Sequence, residues 1–536
     1  MKKTVVLALL ALGTGAYAQK SQPSEVQVNT PTPSVYPNEP SICINKAEPN
    51  TLIAGANINN HYLSLDNGKT WENKTIESTF GVWGDPVLHS DANGTIYFVH
   101  LSRTPGKSKD YSFIDRIVIQ TSSDGGKTFE NGSFTGLNEP KMQDKPWIST
   151  DDYSEKMKGN AYLTWTEFDK INSKKKKHQS RIRFSSSSDQ GKTWSEAITI
   201  SDSVGDAVDD DHTLEGATTA VDTRGNIYCV WAGHNRLYFD KSTDGGKTWG
   251  MDRVIFGQQS GWAMDVPHVY RTNGMPFLVI DNSNGEYTGR MYLVWGDDKL
   301  GDADVFISYS DDEGDTWSVP KTVHHPLMSQ GKSQYMPNMA IDPVTGHVAV
   351  VYYDRRNSRN NVFNDVYVSV SKDGGEHFRG YRMNEILSNH IGEDAFSGDY
   401  IDVDFYNGKI TAIWSGYDGE AKVYNRTLTE EDLENISPIH KVGQLHLFHS
   451  KESRLPVIYG VATVPCDVKV TYYRKPWFSK NLKEKSVEEF GISHKPGLDG
   501  YGETRIEARQ KKHIKVEAVI TDKAVKGNKT KTLWIK

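Results

Sequence analysis

The chain has 536 residues, a formal net charge of −7 and 24% charged residues. This length is sufficient for more than one domain, and the acidic balance excludes a protein that binds nucleic acid through overall positive charge. The one long apolar run lies at the start of the chain, so we expect no membrane span elsewhere.

The first 18 residues have the pattern of a secretory signal peptide. Lys2 and Lys3 precede an apolar run from Val5 to Leu12, and an A-x-A cleavage site ends at Ala18. The apolar run is too short to cross a bilayer. We therefore expect cleavage after Ala18 and a mature protein that is secreted, periplasmic or attached to the cell surface.

One octapeptide pattern, S-x-D-x-G-x-T-W/F, recurs six times. The Asp side chain can accept hydrogen bonds from nearby backbone N–H groups, and the following Gly tolerates positive φ. Alternating apolar residues, typical of a strand, precede the later copies. The pattern therefore predicts a β-hairpin loop with a structural role. The copies are SLDNGKTW, SSDGGKTF, SSDQGKTW, STDGGKTW, SDDEGDTW and SKDGGEHF, with aspartates Asp66, Asp124, Asp189, Asp244, Asp312 and Asp373.

The spacing of the six aspartates predicts units of four antiparallel strands. The first strands of the first six units are predicted to begin near Glu39, Asp85, Asp144, Glu215, Asp265 and Tyr335. Such units repeated around an axis are the blades of a β-propeller. A seventh unit, residues 396–428, has three strand-like runs and no Asp turn, and the segment EVQVN (Glu25 to Asn29) can supply its fourth strand. We predict an all-β chain with a seven-bladed β-propeller over residues 19–436, a six-bladed ring being the alternative. Residues 437–536 alternate at irregular spacing and are predicted to form a small β-rich accessory domain.

Acidic and aromatic side chains recur where the predicted first and second strands of each unit approach the axis. Carboxylates can act as acid and base in sugar chemistry, and Trp faces stack on sugar rings. The alternative for each acidic residue is a structural hydrogen bond to a neighbouring backbone. The residues predicted to bind substrate are Glu39, Asp144, Trp231, Trp295, Asp354, Arg355, Arg356 and Asp399.

The six octapeptides resemble the Asp-box, or BNR, repeat of sialidases and related propeller proteins, over roughly Asn38 to Asp418. The motifs HTLEGA, STDGGKTW, VYYDRRN and SGDY are similar to those of exported bacterial sialidase-like glycosyl hydrolases. The resemblance implies a Tyr nucleophile with a Glu partner, an Asp acid/base and arginines that hold a carboxylate. On this chain these roles fall to Tyr400, Glu215 and Asp85, with Arg355, Arg356 and Arg103 binding an anionic group. The first blade opens with NEPSICIN, without the arginine that opens a sialidase.

Three functions remain open from the sequence. The first is an exported glycoside hydrolase acting on terminal sugars of glycans, acidic sugars included. The second is a non-catalytic surface propeller that binds glycans or proteins, and the third is a polysaccharide lyase with His212, His268 or Tyr335 as base. We expect a monomer with a glycan as its partner, no nucleic acid and no cofactor. Asp209, Asp210 and Asp211 are the one candidate for a structural Ca²⁺ site.

Overall fold

A computed structural model describes most of the chain. The described residues are 23–30, 37–103, 114–324, 331–385, 396–417, 421–435, 445–450, 455–462, 466–474, 482–492, 502–521 and 530–535. The predicted signal peptide and the predicted domain boundary at residue 437 lie outside these ranges.

The described chain is built almost entirely from β-strands, which confirms the predicted all-β class. Residues 26–429 form seven antiparallel sheets, numbered here in chain order. Sheet 1 contains β2 (Ser41–Ile44), β3 (Leu52–Ala56), β4 (Asn60–Ser64) and β5 (Glu72–Thr75). Sheet 2 contains β6 (Gly84–Ser90), β7 (Ile96–Ser102), β8 (Arg116–Ser122) and β9 (Ser133–Thr135). Sheet 3 contains β10 (Met142–Thr150), β11 (Ala161–Phe168), β12 (Gln179–Ser187), β13 (Ile198–Thr199) and β14 (Gly205–Asp206). Sheet 4 contains β15 (Glu215–Val221), β16 (Ile227–Gly233), β17 (Arg236–Ser242) and β18 (Arg253–Gly257).

The remaining sheets follow the same order. Sheet 5 contains β21 (Phe277–Ile280), β22 (Met291–Asp297), β23 (Asp304–Ser310) and β24 (Lys321–Thr322). Sheet 6 contains β25 (Gln334–Ile341), β26 (Val348–Asp354), β27 (Asp365–Ser371) and β28 (Arg379–Arg382). Sheet 7 contains β29 (Asp402–Tyr406), β30 (Lys409–Tyr417), β31 (Ala421–Thr429) and β1 (Val26–Gln27), and the short helix α1 (Glu430–Glu434) follows it.

The N-terminal strand completes sheet 7, as predicted from the segment EVQVN. Val26 pairs with Asn425 and Gln27 with Tyr424, so β1 becomes the fourth strand beside β31. This pairing covers the outer edge of β31, which would otherwise expose unpaired backbone groups.

The first strands of the seven sheets contact one another in a cycle. β2 contacts β6 and β29, and the contacts continue from β6 to β10, β15, β21, β25 and back to β29. Residues of all seven strands line one cavity of about 220 Å³. The starts of β2, β6 and β10 and the segment before β29 lie together, because Lys145 contacts Glu39, Asp85 and Asp399 there. This region is called here the common end of the first strands.

The prediction for the start of the fifth sheet was wrong. Asp265 was expected to open its first strand, but Asp265 is exposed and lies beside a small hairpin of β19 (Ala263–Met264) and β20 (Thr272–Asn273). The strand that pairs with β22 is β21, which begins at Phe277. The hairpin inserts before the sheet and brings the segment ahead of β20 over the common end of the first strands.

The six octapeptides form the loops between third and fourth strands, as predicted. In the fourth copy, Asp244 accepts hydrogen bonds from the backbone N–H of Thr248 (2.9 Å) and from its hydroxyl (2.7 Å). The buried Ser242 hydroxyl accepts from the N–H of Gly246 (2.9 Å), which has φ +84°. In the sixth copy, His377 takes the place of the Thr and bonds Asp373 through Nδ1 (2.7 Å). The repeat is therefore a self-contained hydrogen-bonded turn.

We expect Ser242→Ala to lower the free energy of unfolding by about 1–3 kcal/mol, because it leaves a buried N–H of Gly246 without its acceptor. Lys247→Ala in the same loop removes only an exposed side chain and should change it by less than about 0.5 kcal/mol. Urea unfolding followed by circular dichroism measures both. Equal stability of the two variants would contradict a structural role for the octapeptide.

The C-terminal residues form two further sheets with a core of their own. One orders its strands β32 (Leu445–Ser450), β33 (Val457–Ala462) and β36 (Gly502–Glu507), and the other β35 (Lys483–Ile492), β34 (Cys466–Arg474), β37 (Ile514–Ile520) and β38 (Thr530–Ile535). The sheets share a hydrophobic cluster that includes Ile458, Val470 and Val516. In the part of the chain that the structure describes, no helix has the length and hydrophobicity of a membrane span.

Candidate functional site

The first strands of several sheets open with an unusual backbone conformation. Glu39, Asp85 and Lys145 have φ of 51°, 49° and 49°, the left-handed region that non-glycine residues rarely adopt. A proline follows each of them, and the pairing register shifts at the start of β6 and β10. Proline lacks an N–H and fits such bulges, and a bulge redirects a side chain. The bulges thus explain why Asp85 and Lys145 turn toward a common centre, and Glu39 reaches it from the same backbone conformation.

Lys145 is the centre of the resulting cluster. Its ammonium lies 2.7 Å from Oδ2 of Asp399 and 3.2 Å from Oδ2 of Asp85. Oδ1 of Asp144 is 3.8 Å away and Oε1 of Glu39 is 4.0 Å away. One buried cation therefore holds four carboxylates from sheets 1, 2 and 3 and from the segment before sheet 7.

Arg271 is the second cation of the cluster. It lies at the start of β20, in the small hairpin, and its Nε donates to Oδ1 of Asp399 at 2.8 Å, while one of its terminal nitrogens contacts Oδ2. The other terminal nitrogen donates to Asp209 at 2.6 Å. Asp399 is therefore held by a bidentate arginine and by Lys145 at once, a geometry that fixes the carboxylate firmly.

Asn57 connects the acidic residues of sheets 1 and 2. Its amide nitrogen donates to Oε2 of Glu39 at 2.5 Å, and its amide oxygen accepts from the backbone N–H of Asp85 at 2.6 Å. Oε1 of Glu39 accepts from the backbone N–H of Asp399 at 3.0 Å. These bonds fix the strand starts of sheets 1, 2 and 7 relative to one another.

The environments push the carboxyl groups to opposite protonation states. Burial, together with the charges of Asp85 and Asp209, raises the pKa of Asp144 to about 7, against the opposing charges of Lys145 and Arg271. Burial also raises the pKa of Glu39 well above its usual value, and Asp85 adds to this effect. For Asp399, burial is outweighed by Arg271 and Lys145, which lower its pKa well below the usual range. Groups of one chemical type thus hold a proton at one position and a charge at another, the arrangement expected of an acid–base pair.

Glu215 is the least satisfied member of the cluster. It is fully buried, and neither carboxyl oxygen has a hydrogen-bond partner among the described residues. Burial raises its pKa well above the usual value, and the charges of Asp209 and Asp144 add to the effect. A buried carboxyl without partners is expected to be protonated at neutral pH.

Access to solvent divides the cluster into a rim and a floor. The side chains of Asp85 and Asp144 are 13% and 12% exposed, and that of Arg271 is 33% exposed. The side chains of Glu39 and Asp399 are 1% and 0% exposed. A ligand that enters the common end therefore meets Asp85, Asp144 and Arg271 first.

The net charge of the cluster is strongly negative when all groups are ionised. Among the residues described above, two cations, Lys145 and Arg271, face six carboxyl groups. Both cations already have carboxylate partners. The six carboxyl groups belong to Glu39, Asp85, Asp144, Asp209, Glu215 and Asp399.

The structure does not show the predicted pair of Tyr400 and Glu215. The Tyr400 hydroxyl donates to the carbonyl oxygen of Pro86 at 3.0 Å, and its ring packs edge-on against Trp147. Burial raises the pKa of Tyr400 well above its usual value, and Glu39 and Asp85 add to the effect, which opposes formation of a phenolate. Tyr400 therefore lies beside the cluster, but its hydroxyl is not directed at Glu215.

Trp231 and Trp295 were predicted to stack on substrate, but they belong to the hydrophobic core. Both are 0% exposed. Trp231 stacks on Tyr238, and Trp295 stacks on Phe256. The alternating pattern of a strand does not tell which face points inward when both faces are covered, and here the indoles fill the space between neighbouring sheets.

Asp354, Arg355 and Arg356 form a separate buried group at the end of β26. Arg356 binds Oδ2 of Asp354 through two nitrogens at 2.8 and 2.6 Å, and its guanidinium lies over the Tyr367 ring. The fully buried Arg355 donates to carbonyl oxygens of Pro267 (2.6 Å) and Asn361. Arg355 and Arg356 thus bind groups of the protein itself, and the Arg103 guanidinium lies over the Trp83 ring at 4.1 Å. Their binding of an anionic group stays a prediction.

Of the predicted site residues, the structure brings together Glu39, Asp85, Asp144, Glu215 and Asp399. Lys145, Arg271, Asp209 and Asn57 belong to the same cluster but were not predicted as its members. Alignment of the strand starts on proline, NEP, GDP and DKP, places Lys145 at the same position as Glu39 and Asp85. That signal would have identified the lysine. The sequence carries no comparable signal for Arg271, because the hairpin that positions it interrupts the repeat.

The acidic run considered for calcium is used within the protein. Asp209 accepts from Arg271 and from the indole nitrogen of Trp262 at 3.0 Å. Asp211 accepts from the backbone N–H of Ala263 at 2.8 Å. Within the described ranges, no three His, Cys, Asp or Glu side chains are placed to hold a metal ion.

Comparisons with known proteins give one family and several solved structures. Residues 164–383 match the BNR repeat-like domain, which confirms the resemblance inferred from the octapeptides. No curated protein matches the chain. The Hadza microbial sialidase Hz136 is 15% identical with a TM-score of 0.42, over 72% of this chain and 74% of that chain. The α-L-arabinofuranosidase Arb93A of Fusarium graminearum is 14% identical with a TM-score of 0.43, over 77% of this chain and 99% of that chain. The NanB sialidase of Streptococcus pneumoniae is 10% identical with a TM-score of 0.44, over 72% of this chain and 84% of that chain.

Proposed function

We propose that this chain, which carries a BNR repeat-like domain over residues 164–383, is an exported glycoside hydrolase with the Lys145 cluster as its active site. The observation that carries the proposal is a pair of carboxyl groups, Asp85 and Asp144, that reach solvent together at the rim of one buried cluster. Burial raises the pKa of Asp144 to about 7, so it carries a proton near neutral pH, while Asp85 lies 3.2 Å from the Lys145 ammonium. Hydrolysis of a glycosidic bond needs one carboxyl group to donate a proton and another to act as a carboxylate.

We propose further that the seven sheets are the blades of a seven-bladed propeller. The cyclic contacts of the first strands and the cavity lined by all seven of them support this arrangement. In such a ring the starts of the first strands surround one mouth of the axis. The cluster then lies at that mouth, where a ligand can approach from solvent.

We assign the acid role to Asp144 rather than to Asp85. Asp144 reaches solvent at the rim, and its pKa of about 7 lets it carry a proton that it can give to a leaving oxygen. Asp85, also at the rim, is assigned as the carboxylate that stabilises or attacks the anomeric carbon. Lys145 and Arg271 position the cluster, and the floor carboxyl Glu215 supplies a second site for a proton.

The charge of the cluster favours a neutral sugar over sialic acid. Burial keeps Glu39 and Glu215 protonated, but Asp399 is ionised and both cations of the cluster are already paired, so a bound carboxylate would meet no free cation among the cluster residues. Arg355 and Arg356, the arginines expected to bind an anionic group, are engaged elsewhere. Like charges in a low-dielectric site repel strongly, so we propose a terminal neutral sugar as the substrate.

A panel of 4-methylumbelliferyl glycosides tests the proposal. We expect release of the fluorophore from at least one neutral glycoside and none from the N-acetylneuraminic acid glycoside. Hydrolysis of the sialoside alone would overturn the neutral-sugar assignment. Binding of glycans without hydrolysis of any glycoside in the panel would favour the second candidate, a non-catalytic glycan-binding surface. The complete burial of Glu39 and Asp399 supports this second candidate.

The pH profile follows from the pKa of Asp144. An acid must be protonated to act, so kcat should be level in the mildly acidic range and fall about tenfold per pH unit above about 7. Asp399 stays ionised throughout this range because its pKa is lowered. Initial rates between pH 5 and 9 measure the profile. A rate that rises with pH across 7 would contradict the role of Asp144 as acid.

A further inference from the structure

The outer face of the four-stranded C-terminal sheet carries an exposed aromatic pair. Along β37, Ile514, Val516 and Ala518 are buried, so Lys515 points to the opposite, solvent-facing side. Lys515 pairs across the strands with Trp534 on β38, whose side chain is 43% exposed. A single exposed indole is common on protein surfaces, so the case for a binding surface depends on what lies beside it.

Tyr473 and a lysine extend this aromatic surface. The rings of Tyr473 and Trp534 lie 5.6 Å apart at an angle of 31°, and the Lys515 ammonium lies 5.8 Å from the centre of the indole. The two rings form a shallow platform, and Lys515 beside it is paired with Glu517 at 2.6 Å, so the platform itself contributes aromatic contact rather than free positive charge. Flat aromatic faces of this kind can pack against the apolar C–H face of a sugar ring.

A groove of about 560 Å³ begins at Tyr473. Among the described residues it is lined by Lys485, Lys511, Lys512 and His513, and Glu484 is the one acidic residue of this lining. Lys485, Lys511 and Lys512 are exposed, and across the described residues none of the three forms an ion pair. The groove is therefore a local concentration of positive charge on a chain whose net charge is −7.

The turn that carries two of these lysines is held in a fixed conformation. The amide nitrogen of Gln510 lies 3.0 Å from the carbonyl oxygen of Tyr473 and 2.8 Å and 3.1 Å from those of Lys512 and His513. His513 adopts φ of 62°, which closes the turn. Because the turn is tied to Tyr473, the lysines keep their position beside the aromatic platform.

We propose that this groove and platform bind an acidic polysaccharide. The lysines would pair with carboxylate or sulfate groups along the glycan, while Tyr473 and Trp534 stack on its rings. The open shape of the groove suits a chain that continues past it. This site is separate from the Lys145 cluster and does not rest on the function proposed for that cluster. Its role would be to hold the protein on a glycan.

Binding of the full-length protein to polygalacturonate, with dextran as the neutral comparison, tests the proposal by affinity electrophoresis. We expect retardation by polygalacturonate and none by dextran. The double variant Lys511→Glu/Lys512→Glu should weaken binding at least tenfold, and 0.5 M NaCl should weaken wild-type binding because it screens exposed charges. Trp534→Ala should weaken binding without a change of charge.

The matched control is Lys176→Glu/Lys177→Glu, which makes the same charge change at exposed positions of a loop of sheet 3. This variant should bind polygalacturonate within twofold of wild type. Equal loss in the control, or unchanged binding in the groove variant, would overturn the site. Equally strong binding of single-stranded DNA or of phosphatidylserine vesicles would overturn the assignment to polysaccharide and leave a surface for polyanions in general.

Discussion

Lys145→Met is expected to lower the free energy of unfolding at pH 7 by about 3–5 kcal/mol. The substitution keeps the length of the side chain and removes the one ammonium that Asp399, Asp85, Asp144 and Glu39 share. Removal of one partner from a buried ion pair leaves uncompensated buried charge, which costs this amount. Urea unfolding monitored by tryptophan fluorescence measures the change.

Lys74→Met is the matched control for this experiment. Lys74 forms an ion pair with Glu72 at 3.4 Å on the surface of sheet 1, and such pairs contribute about 0–1 kcal/mol. The deficit of Lys145→Met should also shrink as the pH is lowered toward 4. As the pH falls, the carboxyl groups that have lost the ammonium bind protons in the native variant before they do so in the unfolded chain. This proton binding stabilises the native state of the variant. A Lys145→Met protein as stable as Lys74→Met would show that the cluster does not form.

Asp144→Asn is expected to lower kcat about 10²- to 10⁴-fold on a glycoside with a poor leaving group. The amide cannot donate the proton that the leaving oxygen needs. A 2,4-dinitrophenyl glycoside of the same sugar leaves without protonation, so its hydrolysis should be affected far less. Steady-state rates on the two substrates give the comparison, and the decline of kcat above pH 7 should be absent from the variant.

Asp265→Asn provides the control for Asp144→Asn. Asp265 was predicted at the start of a first strand, but it is exposed and outside the cluster, so its replacement should leave both rates unchanged. An equal loss of Asp144→Asn on both leaving groups would contradict proton donation by Asp144. In that case Asp144 would act in binding, as the sequence analysis had it.

Much of the fold could be predicted because the chain repeats itself. The six octapeptides contain their own turn chemistry, in which Asp244 and its equivalents bond residues at most four positions away. Local interactions of this kind are visible in the sequence. The terminal strand at Val26 could be predicted because the seventh unit lacks a fourth strand.

The site could be predicted only in part because it depends on interactions between distant residues. Five acidic members were found from their position at strand starts, whereas Lys145 was missed because a bulge, and not simple alternation, determines where its side chain points. Arg271 reaches Asp399 across 128 positions of the chain through a hairpin outside the repeat. The prediction for Trp231 and Trp295 differs from the structure for another reason. Tryptophan suits both a sugar site and a hydrophobic core, and here both indoles lie in the core.

The most direct test is a crystal structure of the Asp144→Asn protein with the glycoside that the wild type hydrolyses. We predict the sugar at the common end of the first strands, with its glycosidic oxygen beside residue 144 and its ring beside Asp85, while Lys145 stays between Asp85 and Asp399. A sugar bound only in the 220 Å³ cavity or only in the C-terminal groove, or a Lys145 separated from these carboxylates, would contradict it.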